Sequence, residues 1–200
     1  MKSDAIKKIF LKFKKKKILF KNWVVLEFFA RDGSWHTNDY NTFVKKIIAW
    51  EIKKKFKKKF KENVPNSEFI VGDSFNLLKR KKYFGKFNLI ILDNPQYFYG
   101  KNKEYCEHFE AIELIKKLFV KKKSYLIFNI NKKPFNYKKL KDWKKKRDEY
   151  YGFDTKKITT KKIINFYRKK FMELGYKVFD CFEQKRNNEY LSYLVLSLKK

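Results

Sequence analysis

Apolar residues in this 200-residue chain fall into short runs separated by lysine-dense stretches. Short continuous runs bounded by turn residues read as buried strands, whereas recurrence every three or four positions reads as helix. Residues 23–29 form the clearest strand, interrupted by Glu27 and closed by the turn Ala30-Arg31-Asp32-Gly33-Ser34. Further strands are predicted over 46–52, 68–73, 87–92 and 124–130. Between them, Ser34 caps a short helix over 35–40, Phe56 and Phe60 stripe a second helix, and Phe75, Leu77 and Leu78 start a third. Asp93-Asn94-Pro95 ends the fourth strand, because proline cannot continue a central ladder. An aromatic loop, Tyr97-Phe98-Tyr99-Gly100, leads into a helix over 105–120 that carries Phe109, Ile112, Ile115, Leu118 and Phe119. Residues 131–157 are too long for an ordinary connection and read as a basic helical insertion. A long helix over 159–174 stops at Gly175, a natural C-terminal residue. Strands at 176–183 and 190–198 then form an antiparallel hairpin across QKRNN. Alternation of strands and helices predicts one α/β domain: a doubly wound, mostly parallel sheet, helices on both faces, mixed at its C-terminal edge.

The N-terminal 1–22 changes this picture little. Ile6, Ile9, Phe10 and Phe13 share one face of an amphipathic helix whose other face is lysine, packed at the edge of the domain 23–200. Its lysines interrupt any signal-like apolar core, and no run reaches membrane-spanning length, so the expected location is the cytoplasm or another compartment holding nucleic acid, not the exterior.

Charge changes it more. The formal net charge is +31, and five of the 52 basic residues are arginines, so the excess is nearly all lysine. The accompanying Asn, Ile, Phe and Tyr suggest an AT-rich coding bias, which makes composition overstate any binding surface. Such a field nevertheless draws in phosphate backbones, making nucleic acid, RNA or DNA, the expected partner. Cys106 and Cys181 lack metal-ligand spacing and read as buried thiols, while His36 and His108 read as surface or boundary residues. No metal is expected.

Candidate chemistry lies in acids at strand ends: Glu51, Asp73 and Asp93-Asn94. In a doubly wound sheet, ligands bind beyond the carboxyl ends of strands. Glu51 can accept from a ribose diol, Asp73 from an adenine amino group, and Gly33 would allow backbone to approach a cofactor. A nicotinamide dinucleotide fits poorly, since the first turn has one glycine in place of GxGxxG, and Glu27 and Asp32 would face its phosphates. S-adenosylmethionine, with its positive sulfonium and amino group, suits an acid-lined turn.

At these residues the chain resembles class I S-adenosylmethionine-dependent methyltransferases. LEFFARDGS (26–34) is similar to their first motif, often LDLFAGSG in nucleic-acid-modifying members, with Arg31 and Asp32 departing from it. The resemblance implies a seven-stranded sheet with an antiparallel last strand, and a cofactor site of Glu27, Phe29, Gly33, Glu51, Ile52, Asp73 and Ser74. FNLIILDNPQY (87–97) resembles a degenerate (D/N)PP(Y/F) motif. In one register Asp93 takes the acid position; shifted by one, Asn94-Pro95-Gln96-Tyr97 matches NPPY with a single change. Either way, Asp93, Asn94, Pro95 and Tyr97 are the implied catalytic residues, and Gln96, Phe98 and Tyr99 are the implied base contacts. In the insertion, Lys138, Lys144, Lys145 and Arg147 are candidates for phosphates, and Trp143, Tyr150 and Tyr151 for packing or stacking. The implied activity is methylation of a nucleic-acid base, at an exocyclic amine. Rival readings are an inactive nucleic-acid-binding protein of the same fold and a methyltransferase for proteins or small molecules; whether a partner protein supplies specificity stays open.

Overall fold

The computed structural model describes residues 4–132, 139–187 and 190–200. Lys138 of the insertion lies outside them. The elements run α1 (Ala5–Lys15), β1 (Val24–Phe28), β2 (Lys46–Glu51), α2 (Lys57–Asn63), β3 (Ser67–Val71), α3 (Ser74–Leu78), β4 (Leu89–Leu92), β5 (Phe98–Tyr99), β6 (Tyr105–Cys106), α4 (Phe109–Ile115), β7 (Ser124–Asn131), α5 (Lys141–Tyr151), α6 (Thr160–Glu173), β8 (Lys177–Lys185) and β9 (Leu191–Lys199). Seven strands make one sheet in the order β3-β2-β1-β4-β7-β9-β8. The pairs from β3 to β7 are parallel, and β9 is antiparallel to both β7 and β8.

Period-two alternation sorts each strand's side chains between two cores. Leu26, Phe28, Ile48, Trp50, Ile90, Leu92, Leu126 and Phe128 pack on one face against α3, α4 and α6, including Phe75, Ile112, Ile163 and Tyr167. Val25, Ile47, Ala49, Leu89, Ile91, Tyr125 and Ile127 pack on the other against α1 and α2, including Ile6, Phe10, Phe13 and Phe60. The lysines of α1 stay outside; Lys12 lies over the Phe182 ring, and Lys16, just past the helix, pairs with Asp180.

Local expectations fail where polar groups find closer partners. Ser34 caps no helix: its backbone N–H and hydroxyl both donate to Asp32, and the segment 35–40 holds only a 3-10 turn over Thr37–Asp39. The helix expected over 105–120 shortens to Phe109–Ile115, because Tyr105 and Cys106 pair with Tyr99 and Phe98 as a small antiparallel ribbon. The aromatic loop is thus partly strand. Both cysteines are free and buried, and burial pushes the Cys181 thiol up to about 12.

Gly33 answers to packing. It has φ +71°, and a Cβ there would stand 2.8 Å from Val64 and 2.9 Å from Phe60. Gly33→Ala is therefore expected to cost roughly 1–3 kcal/mol, from overpacking plus left-handed strain. A urea midpoint equal to wild type would refute this.

Candidate active site

The chain reverses winding direction between β1 and β4, the two neighbouring strands whose connections lead opposite ways across the sheet. Ligand clefts in open α/β sheets form at that switch point. A cleft of about 380 Å³ lies there, lined on one side by Glu27 of β1 and by Phe29, Ala30, Arg31, Trp35 and His36 after it. Asp93, Asn94, Pro95 and Gln96 line it from β4, with Asn129, Arg186 and Leu191 from the C-terminal half.

Glu27 sits in register with Ala49 and Ile91 of the flanking central strands, a position normally apolar. Burying its charge demands partners, and the loop after β1 supplies them. Thr37 donates its hydroxyl to the carboxylate at 2.8 Å, the Tyr40 hydroxyl donates at 2.5 Å, and His36 Nε2 lies 3.0 Å away. Burial alone would push His36 down; the Glu27 carboxylate, helped by Asp93, outweighs it and raises the imidazole above its ordinary value. Tyr40 is pushed well up by burial and then by Glu27. The surface reading of His36 fails because this carboxylate draws the ring inward. His108 is also buried, against Tyr167, and burial followed by the nearby Arg147 pushes it well below its usual range.

Asp93 is claimed from two sides. Arg186 Nη1 donates to Oδ1 at 2.9 Å, and His36 Nδ1 lies 3.6 Å from Oδ2. The guanidinium is held over the Tyr193 ring at 4.9 Å and the Trp35 ring at 5.8 Å. Asn94 is only 4% exposed. Asn129 grips its backbone reciprocally, accepting from the Asn94 N–H at 3.2 Å and donating to the Asn94 carbonyl at 2.9 Å. The Asn94 side-chain NH2 donates to the Pro95 carbonyl, which leaves Oδ1 buried without a partner.

The loop after β1 keeps the shape of a glycine turn without the glycines. Phe29 and Arg31 hold φ of +56° and +51°, unusual for side-chain-bearing residues. Glu51 fixes this loop: its two oxygens accept the backbone N–H groups of Arg31 at 3.0 Å and Lys53 at 2.9 Å. Each carboxylate oxygen retains a further acceptor site. Beside it, Ile52 is 63% exposed, an apolar side chain left at the mouth of the strand ends. Asp73 caps α3 by accepting from the Asn76 N–H, and Ser74 is buried at the start of that helix. Glu51, Ile52, Asp73, Ser74 and Gly33 do not line the 380 Å³ cleft; Glu27 and Phe29 do.

Of the expected substrate contacts, Gln96 lines the cleft, while Tyr97 is exposed, its ring edge-on to Phe98 and Trp143. Phe98 and Tyr99 are half-buried in the ribbon; the Tyr99 hydroxyl donates to the Glu107 carbonyl. Lys145 is exposed, and Lys144 pairs with Asp148 and Asp154. Arg147 is not on a surface at all: it is fully buried and paired with Glu107, which also accepts from the Trp143 indole. Trp143 and Tyr151 are core, and Tyr150 stacks on Phe109 at 3.8 Å. The insertion's rings therefore dock it onto the domain rather than meet bases.

Sequence reasoning missed His36, Trp35, Asn129, Arg186 and Tyr193. Two had a visible signal: Asn129 breaks an apolar strand, and Arg186 is one of five arginines in a chain that otherwise uses lysine. Among the described residues, no group of three or more His, Cys, Asp or Glu is placed to hold a metal ion. No helix is long and apolar enough to cross a membrane.

Sheet order, switch-point cleft and acid-lined first turn together define the class I S-adenosylmethionine-dependent methyltransferase fold. No protein-family profile and no curated protein matches the sequence. Solved structures match its fold. Magnesium protoporphyrin IX methyltransferase from Synechocystis, with bound S-adenosylhomocysteine, superposes with a TM-score of 0.59 at 13% identity, covering 98% of this chain and 83% of that one. An inferred methylase of Haemophilus influenzae (HI0767) gives 0.56 at 16% identity, covering 97% and 99%. An inferred RNA methyltransferase of Pyrococcus horikoshii (PH1948) gives 0.55 at 12% identity, covering 96% and 80%.

Proposed function

We propose that the protein is an S-adenosylmethionine-dependent methyltransferase acting on an exocyclic amine of a nucleic-acid base. The observation that carries this reading is the buried, unpartnered Asn94 Oδ1 in a cleft at the β1/β4 switch point. A lone buried acceptor costs free energy unless a donor arrives to meet it. When bound, the cofactor supplies an electrophilic methyl group on a sulfonium.

The residues fit that cofactor. Glu51, with spare acceptor capacity on both anchored oxygens, suits ribose hydroxyls, the exposed Ile52 suits an adenine face, and Asp73 suits its amino edge. Glu27, with its hydroxyl and imidazole partners, suits the amino group at the methionine end. What the chain does for the target is positional: transfer is an in-line displacement, so the acceptor nitrogen must be held with its lone pair directed at the methyl. Asn94 Oδ1 accepts one of its N–H bonds, favouring the shifted register of the motif over the one centred on Asp93, whose carboxylate is already matched to Arg186. Tyr97, exposed beside the cleft residues, offers a ring face to the base, a contact worth roughly 1–3 kcal/mol in nucleic-acid sites. The net charge of +31 supports a polyanionic substrate.

Calorimetry with S-adenosylhomocysteine tests the cofactor, and transfer of labelled methyl to total RNA and to DNA tests the substrate. Micromolar cofactor binding with label in one nucleic acid is expected. No binding at millimolar concentration would sink the enzyme reading; label entering protein or small molecules alone would sink the substrate.

A further inference from the structure

Of the side-chain acceptors that line the cleft, Glu27, Asp93 and Asn129 already have partners. Glu27 takes bonds from Thr37 and Tyr40 beside His36, Asp93 takes Arg186, and Asn129 Oδ1 takes the Asn94 N–H. The Pro95 carbonyl already receives the Asn94 side-chain NH2. Gln96 stands where the resembling motif has proline or an aromatic ring. Its NH2 donates to the Asn94 carbonyl at 3.3 Å, which fixes the orientation of the amide and leaves Oε1 buried with no partner. Asn94 and Gln96 both line the cleft, and each carries a neutral amide oxygen that is buried without a donor.

The geometry points to Gln96 as a specificity-determining residue: with Asn94 it forms a two-acceptor clamp for a nitrogen bearing at least two N–H bonds. This rests on the reading of the cleft as a methyl-transfer site. A primary exocyclic amine satisfies both oxygens, a hydroxyl only one, and a base carbonyl neither. A carbonyl in that place would set lone pairs against lone pairs, so the clamp rejects as well as selects. The same chemistry occurs in the amino group of the cofactor's methionine end, and the experiment separates the two sources.

Binding is measured, with S-adenosylhomocysteine present, for single-stranded decamers of adenine and of purine, which differ only in the amine, and of cytosine and pyrimidin-2-one likewise. Equal charge and stacking area cancel the lysine contribution. Wild type is expected to prefer the amine-bearing member of at least one pair by about tenfold, as two modest hydrogen bonds allow. Gln96→Leu should compress that ratio to about threefold with cofactor-product affinity unchanged, and Gln96→Glu, which keeps an acceptor oxygen, should retain it. An unchanged ratio in Gln96→Leu would overturn the proposal. So would a tenfold loss of S-adenosylhomocysteine affinity with the ratio intact, which would give the clamp to the cofactor. Wild-type protein that binds no S-adenosylhomocysteine fails differently, by removing the methyl-transfer reading on which the clamp depends.

Discussion

Arg147→Met is expected to destabilise the protein by about 3–5 kcal/mol, the usual consequence of leaving one partner of a fully buried ion pair unmatched. Both side chains are completely buried, and Arg147 also donates to the Asn131 carbonyl, so methionine fills volume while stripping Glu107 of its counter-charge and Asn131 of that bond. Burial pushes the Glu107 carboxyl up and Arg147 opposes it; without Arg147 the carboxyl rises further. A group whose folded pKa exceeds its unfolded value loses stability as pH rises between the two. The variant should therefore regain part of the loss when urea melts are moved from pH 8 toward pH 5, and Glu107→Gln added to Arg147→Met should recover more at pH 8. A variant as stable as wild type at pH 8 would show that the pair carries no such weight.

That pair also explains why Arg147 reads from sequence as a phosphate contact. In sequence, Arg147 ends a KKKR run and looks like part of a solvated basic face. What removes it from that face is Glu107, forty positions earlier, held at φ +48° with its N–H donating to the Tyr97 carbonyl. No local pattern encodes a contact over that span. The alternating strands, by contrast, were legible because burial on both faces of a parallel sheet leaves continuous apolar runs, and Glu27 was conspicuous because it interrupts one. The acids at strand ends were legible as residues and ambiguous as roles. Glu51 spends a bond on each side bracing two loops, and Asp73 caps a helix, neither of which spacing alone distinguishes from ligand binding. The histidines were misjudged for the same reason as Arg147: His36 is buried by a carboxylate on another element, not by its own neighbours.

Asn94→Ala should lower methyl transfer by about 10²–10³-fold, the scale on which removing one preorganised hydrogen-bonding group from a reacting centre acts. The backbone at Asn94 is held by Asn129 independently of the Asn94 side chain, so the alanine variant should fold and keep its cofactor affinity. The informative contrast is Asp93→Asn. If Asp93 were the acceptor of the target amine, an amide oxygen would replace it only at a steep cost in rate; if its role is to match Arg186, the exchange leaves the Asn94 acceptor in place and transfer should fall less than tenfold. The Asp93 substitution should instead show in stability, because Arg186 would keep its rings and lose its counter-charge. Measured side by side with S-adenosylhomocysteine affinity as the control, a severe Asn94 variant and a mild Asp93 variant establish the shifted register. The reverse order of rates would return the chemistry to Asp93, and with it require Arg186 to leave the carboxylate before any base could reach it.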